Sequence, residues 1–222
     1  MIPLRDTQPS HSKPIVTLMI IAVNVFVFVY MLSLDPYSQN YFIRQFAMTP
    51  ARLSLSTMVT SMFLHGGWMH LIGNMWFLWV YGDNVEDILG HGKYLVFYLL
   101  CGIAAAITQY AMYPDARVPT LGASGAIAGV MGAYLIKFPH SRIVTLIPIF
   151  VFWTTVEIPA VLILIVWFGL QFFNGIGSVG YSQVSQGGVA WFAHVGGFIA
   201  GMILIVTMGT RERYGRRRDL YW

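Results

Sequence analysis

The stretch TLGASGAIAGVMGAY, residues 120–134, holds one serine and four glycines in a segment without a single charge. Seventy residues after Ser124, the stretch WFAHVGGFIAG (191–201) sets a histidine, His194, in a second uncharged apolar segment. The bilayer core is a costly place for polar side chains, so an ionisable group there is a functional-site hypothesis by default, facing a bundle interior or a wet cavity. The reading of this chain turns on whether Ser124 and His194 meet.

Composition fixes the solvent. With 57% hydrophobic and 10% charged residues among 222, and a mean hydropathy of +0.65, the chain reads as an all-α polytopic membrane protein rather than a soluble domain. The single cysteine, Cys101, excludes an intramolecular disulfide and a cysteine-based metal cluster, and reads as a small buried hydrophobe. The formal charge of +4 comes mostly from Arg211, Arg213, Arg216, Arg217 and Arg218. Because that cluster directly follows a hydrophobic span, it points to the surface of a lipid bilayer and not to nucleic acid.

Six segments approach the ~20 residues that cross a ~30 Å hydrocarbon core: Ile15–Leu34, Gly67–Gly82, Tyr94–Tyr113, Leu121–Phe138, Glu157–Asn174 and Gly188–Met208. The first ends without a small-x-small cleavage pattern and reads as a retained anchor. The organisation expected is a cytoplasmic segment 1–14, a membrane domain 15–208 and a basic cytoplasmic tail 209–222. The apolar run Ile143–Thr155 is too short to span, contains Pro148, and is placed at the interface; Glu157 and Pro159 after it read as a helix start.

Orientation follows from lysine and arginine. With the N-terminus inside, ten of these residues are cytoplasmic (Arg5, Lys13, Lys93, Lys137, Arg142 and the five tail arginines) and three, Arg44, Arg52 and Arg117, are outside. Both termini are thus expected in the cytoplasm, and a prokaryotic cell membrane is the expected location. Residues 35–66 become a long external loop whose apolar side chains, among them Phe42, Phe46, Met58 and Phe63, are expected to pack on or in the membrane.

At ~1.5 Å rise per residue, Ser124 falls within about 6 Å of the external start of the fourth span and His194 about 9 Å into the sixth. His70 and Asn74 lie one turn apart near the external end of the second. Three spans therefore bring polar groups to a common depth. Gly122, Gly125, Gly129 and Gly132 recur on one side of span four, and Ala193, Gly197 and Gly201 on one side of span six. Small residues on one face let membrane helices approach closely.

A serine becomes a nucleophile when a neighbouring base takes its proton, and histidine is the usual base. None of the nine acids of the chain lies in an apolar span near the depth of His194, so a Ser–His dyad is expected rather than a triad. The side chains of His70 and Asn74, with the Ser124 backbone N–H, are the candidate donors to the negative oxygen of acyl transfer. Peptide-bond hydrolysis near the outer face of the membrane follows. A transporter or channel would also bury polar groups, but would show broken helices with paired ion ligands near the midplane. A non-catalytic membrane binding protein would explain the bundle without explaining the convergence of these groups.

At MFLHGGWMHLIGNMWFLWVYGDNVED (62–87), TLGASGAIAGVMGAY (120–134) and WFAHVGGFIAG (191–201) the chain resembles the rhomboid intramembrane serine proteases. Their order and the connecting loops extend the resemblance over nearly the whole chain. It implies a six-transmembrane-helix rhomboid-like bundle with a water-filled cavity opening outward. It further implies Ser124 as nucleophile, His194 as general base, and His70 with Asn74 at the oxyanion site. The substrates implied are single-pass membrane proteins, cut within their spans without metal or cofactor.

Two departures stand out. Some members carry a tyrosine one turn after the nucleophile that stacks on the histidine; here that place is Ala128, which leaves Trp191 or Phe192 as candidates to hold His194. A Trp-Arg pair in the first loop of some members is absent, since neither Arg44 nor Arg52 follows a tryptophan. His65 is expected to brace the loop before span two and Glu86 to bond helix to loop. A metal site from His65, His70 and His194 would need three converging imidazoles, and only the last two are placed for it.

Overall fold

The computed structural model describes residues 2–149, 152–179 and 189–211. Along the chain run β1 (Ile2–Asp6), α1 (Ile15–Ser33), α2 (Pro36–Phe46), α3 (Leu55–Thr60), α4 (Trp68–Leu89), α5 (His91–Met112) and α6 (Ser124–Lys137). They are followed by β2 (Arg142–Ile149), β3 (Phe152–Pro159), α7 (Ala160–Val179) and α8 (Trp191–Thr207). Each of the six expected spans overlaps one helix, α1, α4, α5, α6, α7 and α8 in turn. Among the described residues three are long and apolar enough to cross a membrane, Ile15–Ser33, His91–Met112 and Ala160–Ser178, and α6 and α8 are shorter apolar helices. Large apolar side chains such as Met19, Phe26, Val166 and Phe173 point outward from α1 and α7, as lipid-facing surfaces require.

The chain is not all-α, which corrects the expected fold class. Where the interfacial run Ile143–Thr155 is expected, β2 pairs antiparallel with β3, and β1 adds to β2 to give a sheet in the order β1-β2-β3. RIVTLIPI and FWTTVEIP are rich in β-branched and aromatic residues that suit a pleated surface, and β1 supplies the strand that completes the sheet. Pro148 lies beyond Leu146, the last β2 residue paired with β1, where a missing N–H is tolerated. Glu157 consequently sits in a strand opposite Val144, and the helix starts only at Ala160. The segment 1–14 is likewise part of the folded unit through β1.

The second span runs two turns past Gly82, to Leu89. Two of its acids, Glu86 and Asp87, stay helical and fully buried because each is used inside the protein. Glu86 accepts from the N–H groups of Val16 and Thr17, both at 2.8 Å, and from Thr17 Oγ1 at 2.7 Å. A carboxylate from α4 thus caps the start of α1, whose first N–H groups have no partner within the helix. Asp87 accepts from the His11 N–H and from Ser12 Oγ. The helix stops at Gly90, whose φ of +77° an L side chain rarely adopts.

Residues 35–66 are folded, not loose. Asp35 caps α2 by accepting from the N–H groups of Tyr37 and Ser38, and Ser54 caps α3 by accepting from the Thr57 N–H. Met48 exchanges backbone bonds with Thr120. Met31, Ala47 and Leu64 form an apolar cluster against which Phe42, Ile43 and Leu121 pack.

The tightest packing is between α6 and α8, with α5 on the third side. A Cβ added at Gly197 would strike the carbonyl of Gly125, one at Gly201 the carbonyl of Gly129, and one at Gly132 the carbonyl of Phe198. Backbone cannot rotate away as a side chain can, so these three positions admit no larger residue without separating the helices. Gly201→Ala should therefore destabilise the protein by about 1–3 kcal/mol or more, read as a lower thermal midpoint in detergent. Gly169→Ala on α7, where nothing lies within 4 Å, should be neutral or improve stability by up to about 1 kcal/mol. Equal midpoints for the two variants would contradict the packing described.

Candidate active site

Ser124 is the first residue of α6. It stands there because Gly122, at φ +123°, turns the chain into the helix, and because the Gly122 N–H donates to the Ser61 carbonyl at 2.9 Å. The Met48–Thr120 bridge holds the same approach from the other side. As the opening residue of a helix, Ser124 has an N–H with no acceptor inside that helix, at the end where negative charge is favoured.

His194 lies in the first turns of α8, nine-tenths buried. Its Nε2 is 2.7 Å from Ser124 Oγ, and its Nδ1 is 2.7 Å from Oε1 of Gln171 on α7. An amide oxygen only accepts, so Nδ1 carries the proton and donates to it. Nε2 is then the acceptor for the serine hydroxyl. The two residues picked out in sequence are thus hydrogen-bonded, in the tautomer in which histidine can take a proton from serine.

His70 and Asn74, one turn apart on α4, flank the same spot. A Cβ built on Gly122 would lie 2.7 Å from both Cε1 and Nε2 of His70 and 3.7 Å from Asn74 Nδ2. Both side chains therefore border the loop two residues before the serine. Asn74 Nδ2 also donates to Nε2 of His65 at 3.0 Å. Burial, with the neighbouring His70 adding to it, pushes the His65 ring down to about 3, so it is neutral and free to accept. His65 braces the amide of Asn74, and its ring meets that of His70 edge-on at 5.0 Å.

Ala128, in the place of the tyrosine that some members carry, is fully buried. The sequence candidates to replace that ring divide. Phe192 packs against Tyr113 and beside Gly175, whereas Trp191 meets the imidazole edge-on at 6.4 Å. Trp167 of α7 lies closer, with ring centroids 5.8 Å apart and a tilt of 34°. Sequence reasoning missed Gln171 because only acids were weighed as hydrogen-bond partners of His194, and Trp167 because only Trp191 and Phe192 were weighed as rings beside it. A glutamine inside an otherwise apolar span was the available signal.

A family model described as Rhomboid domain matches residues 52–211. The presenilin-associated rhomboid-like protein, mitochondrial, of Bos taurus is 36% identical over 137 residues, 60% of this chain and 36% of that protein. Rhomboid protease GluP of Bacillus subtilis is 30% identical over 162 residues, 72% of this chain and 28% of that protein. Rhomboid protein 1, mitochondrial, of Saccharomyces cerevisiae is 33% identical over 112 residues, 48% of this chain and 31% of that protein. The chain thus spans about a third of the length of these relatives. They come from mitochondria and from a bacterium, so the expectation of a prokaryotic membrane gains no support from them. The matched region begins before His65 and runs through α8, taking in every residue of the cluster around Ser124 and His194, and on that match this chain belongs to the rhomboid family.

Proposed function

We propose that this protein is an intramembrane serine endopeptidase that cuts membrane-spanning segments near the outer face through a Ser124–His194 dyad. The observation that carries the reading is the 2.7 Å bond from Ser124 Oγ to His194 Nε2, made between the starts of two helices whose backbones are in contact. In the reaction Ser124 Oγ attacks the scissile carbonyl carbon while its proton passes to Nε2. The negative oxygen is met by the Ser124 N–H with the side chains of Asn74 and His70. Collapse breaks the C–N bond, Nε2 protonates the leaving amine, and water then releases the acyl group with the same histidine as base. The scheme uses no metal or cofactor.

Helix length supports the depth. At ~1.5 Å per residue, the 14 residues of α6 are fewer than the ~20 that cross the hydrocarbon core. If the Lys137 end lies at the cytoplasmic surface, as the excess of basic residues on that side favours, Ser124 sits below the outer surface with polar groups around it. Six spans with both termini inside are part of the proposal.

Access needs a moving part. A hydrogen-bonded substrate helix shields its own carbonyls, so it must enter from lipid and unwind locally. We assign the entry to the gap between α4 and α7. Of the three long apolar helices, α7 is the least covered by the rest of the protein. The connection Gly175–Gly187 is helical as far as Val179, and 180–187 lie outside the described residues.

Ser124→Ala and His194→Ala should each lower cleavage of transmembrane peptides in liposomes by about 10³-fold or more, with no further loss in the double variant, because dyad members act as a unit. Replacing any single acid should leave turnover in every variant that folds; an acid as essential as His194 would convert the dyad to a triad. Gly122→Ala should abolish cleavage, since the methyl would collide with the His70 ring and touch Asn74 at a positive φ that strains any L side chain; turnover near the wild-type rate in the folded variant would remove these side chains from the oxyanion site. Glycine or proline near the scissile bond should speed cleavage, and a crosslink tying α7 to α4 should slow it. Equal rates for stiff and weakened substrates, with the tethered enzyme fully active, would remove the entry path and leave the dyad in place.

A further inference from the structure

Gln171 stands out on α7. Its neighbours Leu170, Phe172 and Phe173 face outward, yet its own amide is more than nine-tenths buried. Among the described residues, the hydrogen bond to its Oε1 comes from His194 Nδ1, at 2.7 Å. Trp167, one turn earlier on the same helix, lies across the imidazole. Residues four apart share a helix face, so α7 presents an acceptor and an aromatic surface to one ring.

We infer that Gln171 is the positioning residue of the proposed dyad: its amide oxygen selects the Nδ1–H tautomer of His194 and fixes the ring so that Nε2 faces Ser124. This deepens the protease reading and rests on it. The alternative tautomer would put the proton on Nε2, where it cannot accept from the serine, and Nδ1 would then face an acceptor unless the Gln171 amide turned to present its NH2. When the proton of Ser124 moves to Nε2, the Nδ1–H bond to Gln171 persists and the imidazolium charge is partly met by the amide dipole. Nothing is transferred to Gln171.

The effect is separable from packing by its chemistry. Gln171→Leu keeps the side-chain volume and removes the acceptor, whereas Gln171→Glu keeps the acceptor and adds charge. His70 of α4 acts on His194 electrostatically; of the helices packed on α8, α6 carries only Lys137, at its far end, α7 carries no charge, and α5 has His91 and Lys93 at the end where Lys93 donates to Met208 and Gly209. A carboxylate at 171 should therefore be felt directly by the imidazole.

The test measures inactivation by a small fluorophosphonate, which reads serine reactivity without passage of a substrate helix, together with kcat and KM for a transmembrane peptide. Gln171→Leu should lower the inactivation rate and kcat about tenfold with KM unchanged. Gln171→Glu should restore the rate and move the acid limb of the pH profile upward, because a carboxylate beside Nδ1 favours the protonated ring. In the nitrogen-15 spectrum of histidine-labelled wild type, neutral His194 should show its proton on Nδ1, and Gln171→Leu should lose that preference. Wild-type reactivity and pH profile in Gln171→Leu would overturn the inference. Should Gln171→Leu not fold, an unmoved acid limb in Gln171→Glu would overturn it equally. A wild type that never labels at Ser124 would instead sink the protease reading, and the tautomer measurement would still judge the bond from Gln171.

Discussion

Direct contact between the backbones of α6 and α8 is the constraint on which the rest depends. Helices normally pack with axes about 8–10 Å apart because side chains stand between them. Here Gly125 and Gly129 of one helix meet Gly197 and Gly201 of the other with no room for a Cβ. Ser124 precedes its glycine by one residue and His194 precedes its own by three, so the contact that holds the helices also sets the 2.7 Å between Oγ and Nε2. Hydrogen bonding is lost within a fraction of an ångström beyond ~3.5 Å. Stability and the proposed reactivity are therefore two readings of one contact.

Lipid-facing helices leave few places for polar atoms, and two groups of them find internal partners at opposite ends of the bundle. At one end of the bundle the carboxylate of Glu86, fully buried, caps α1, and Asp6 takes hydrogen bonds from Tyr134 and Asn84. Burial, the largest influence, pushes the Asp6 carboxyl up to about 7. At the other end no carboxylate among the described residues approaches His194. Its ring is satisfied on both nitrogens by neutral groups, a hydroxyl and an amide, and Asn74 is held by the neutral ring of His65.

The sequence was most legible where one residue type has one physical use. Glycines spaced along two apolar segments have little reason to recur except close approach, and they led to the right helix pair. Serine and histidine in uncharged spans were visible for the same reason. Legibility failed where tertiary partners decide. The acids after Gly82 looked like the end of a span, because nothing local says that Glu86 will cap α1. The run from Arg142 to Pro159 read as an interfacial segment and a helix start, because β2 and β3 depend on β1 from the distant N-terminus to complete their sheet. Gln171 was hidden by its ordinariness: an amide carries no charge, and only the packing of α7 on α8 shows that it faces the imidazole.

That an amide and not a carboxylate stands behind His194 has a physical rationale. An ionised acid placed in the centre of a membrane helix costs about 2.5–3.5 kcal/mol even by insertion scales, and it would need its own partners in every state of the protein. An amide oxygen offers the same acceptor geometry to Nδ1–H while remaining neutral when α7 is displaced. The site gives up some stabilisation of the imidazolium, since a charged acceptor makes a hydrogen bond roughly twice as strong as a neutral one. In exchange α7 can leave and return without exposing a bare charge to lipid. On the entry path proposed here, that helix is the one that must move, and a neutral orienting group is the kind it can carry.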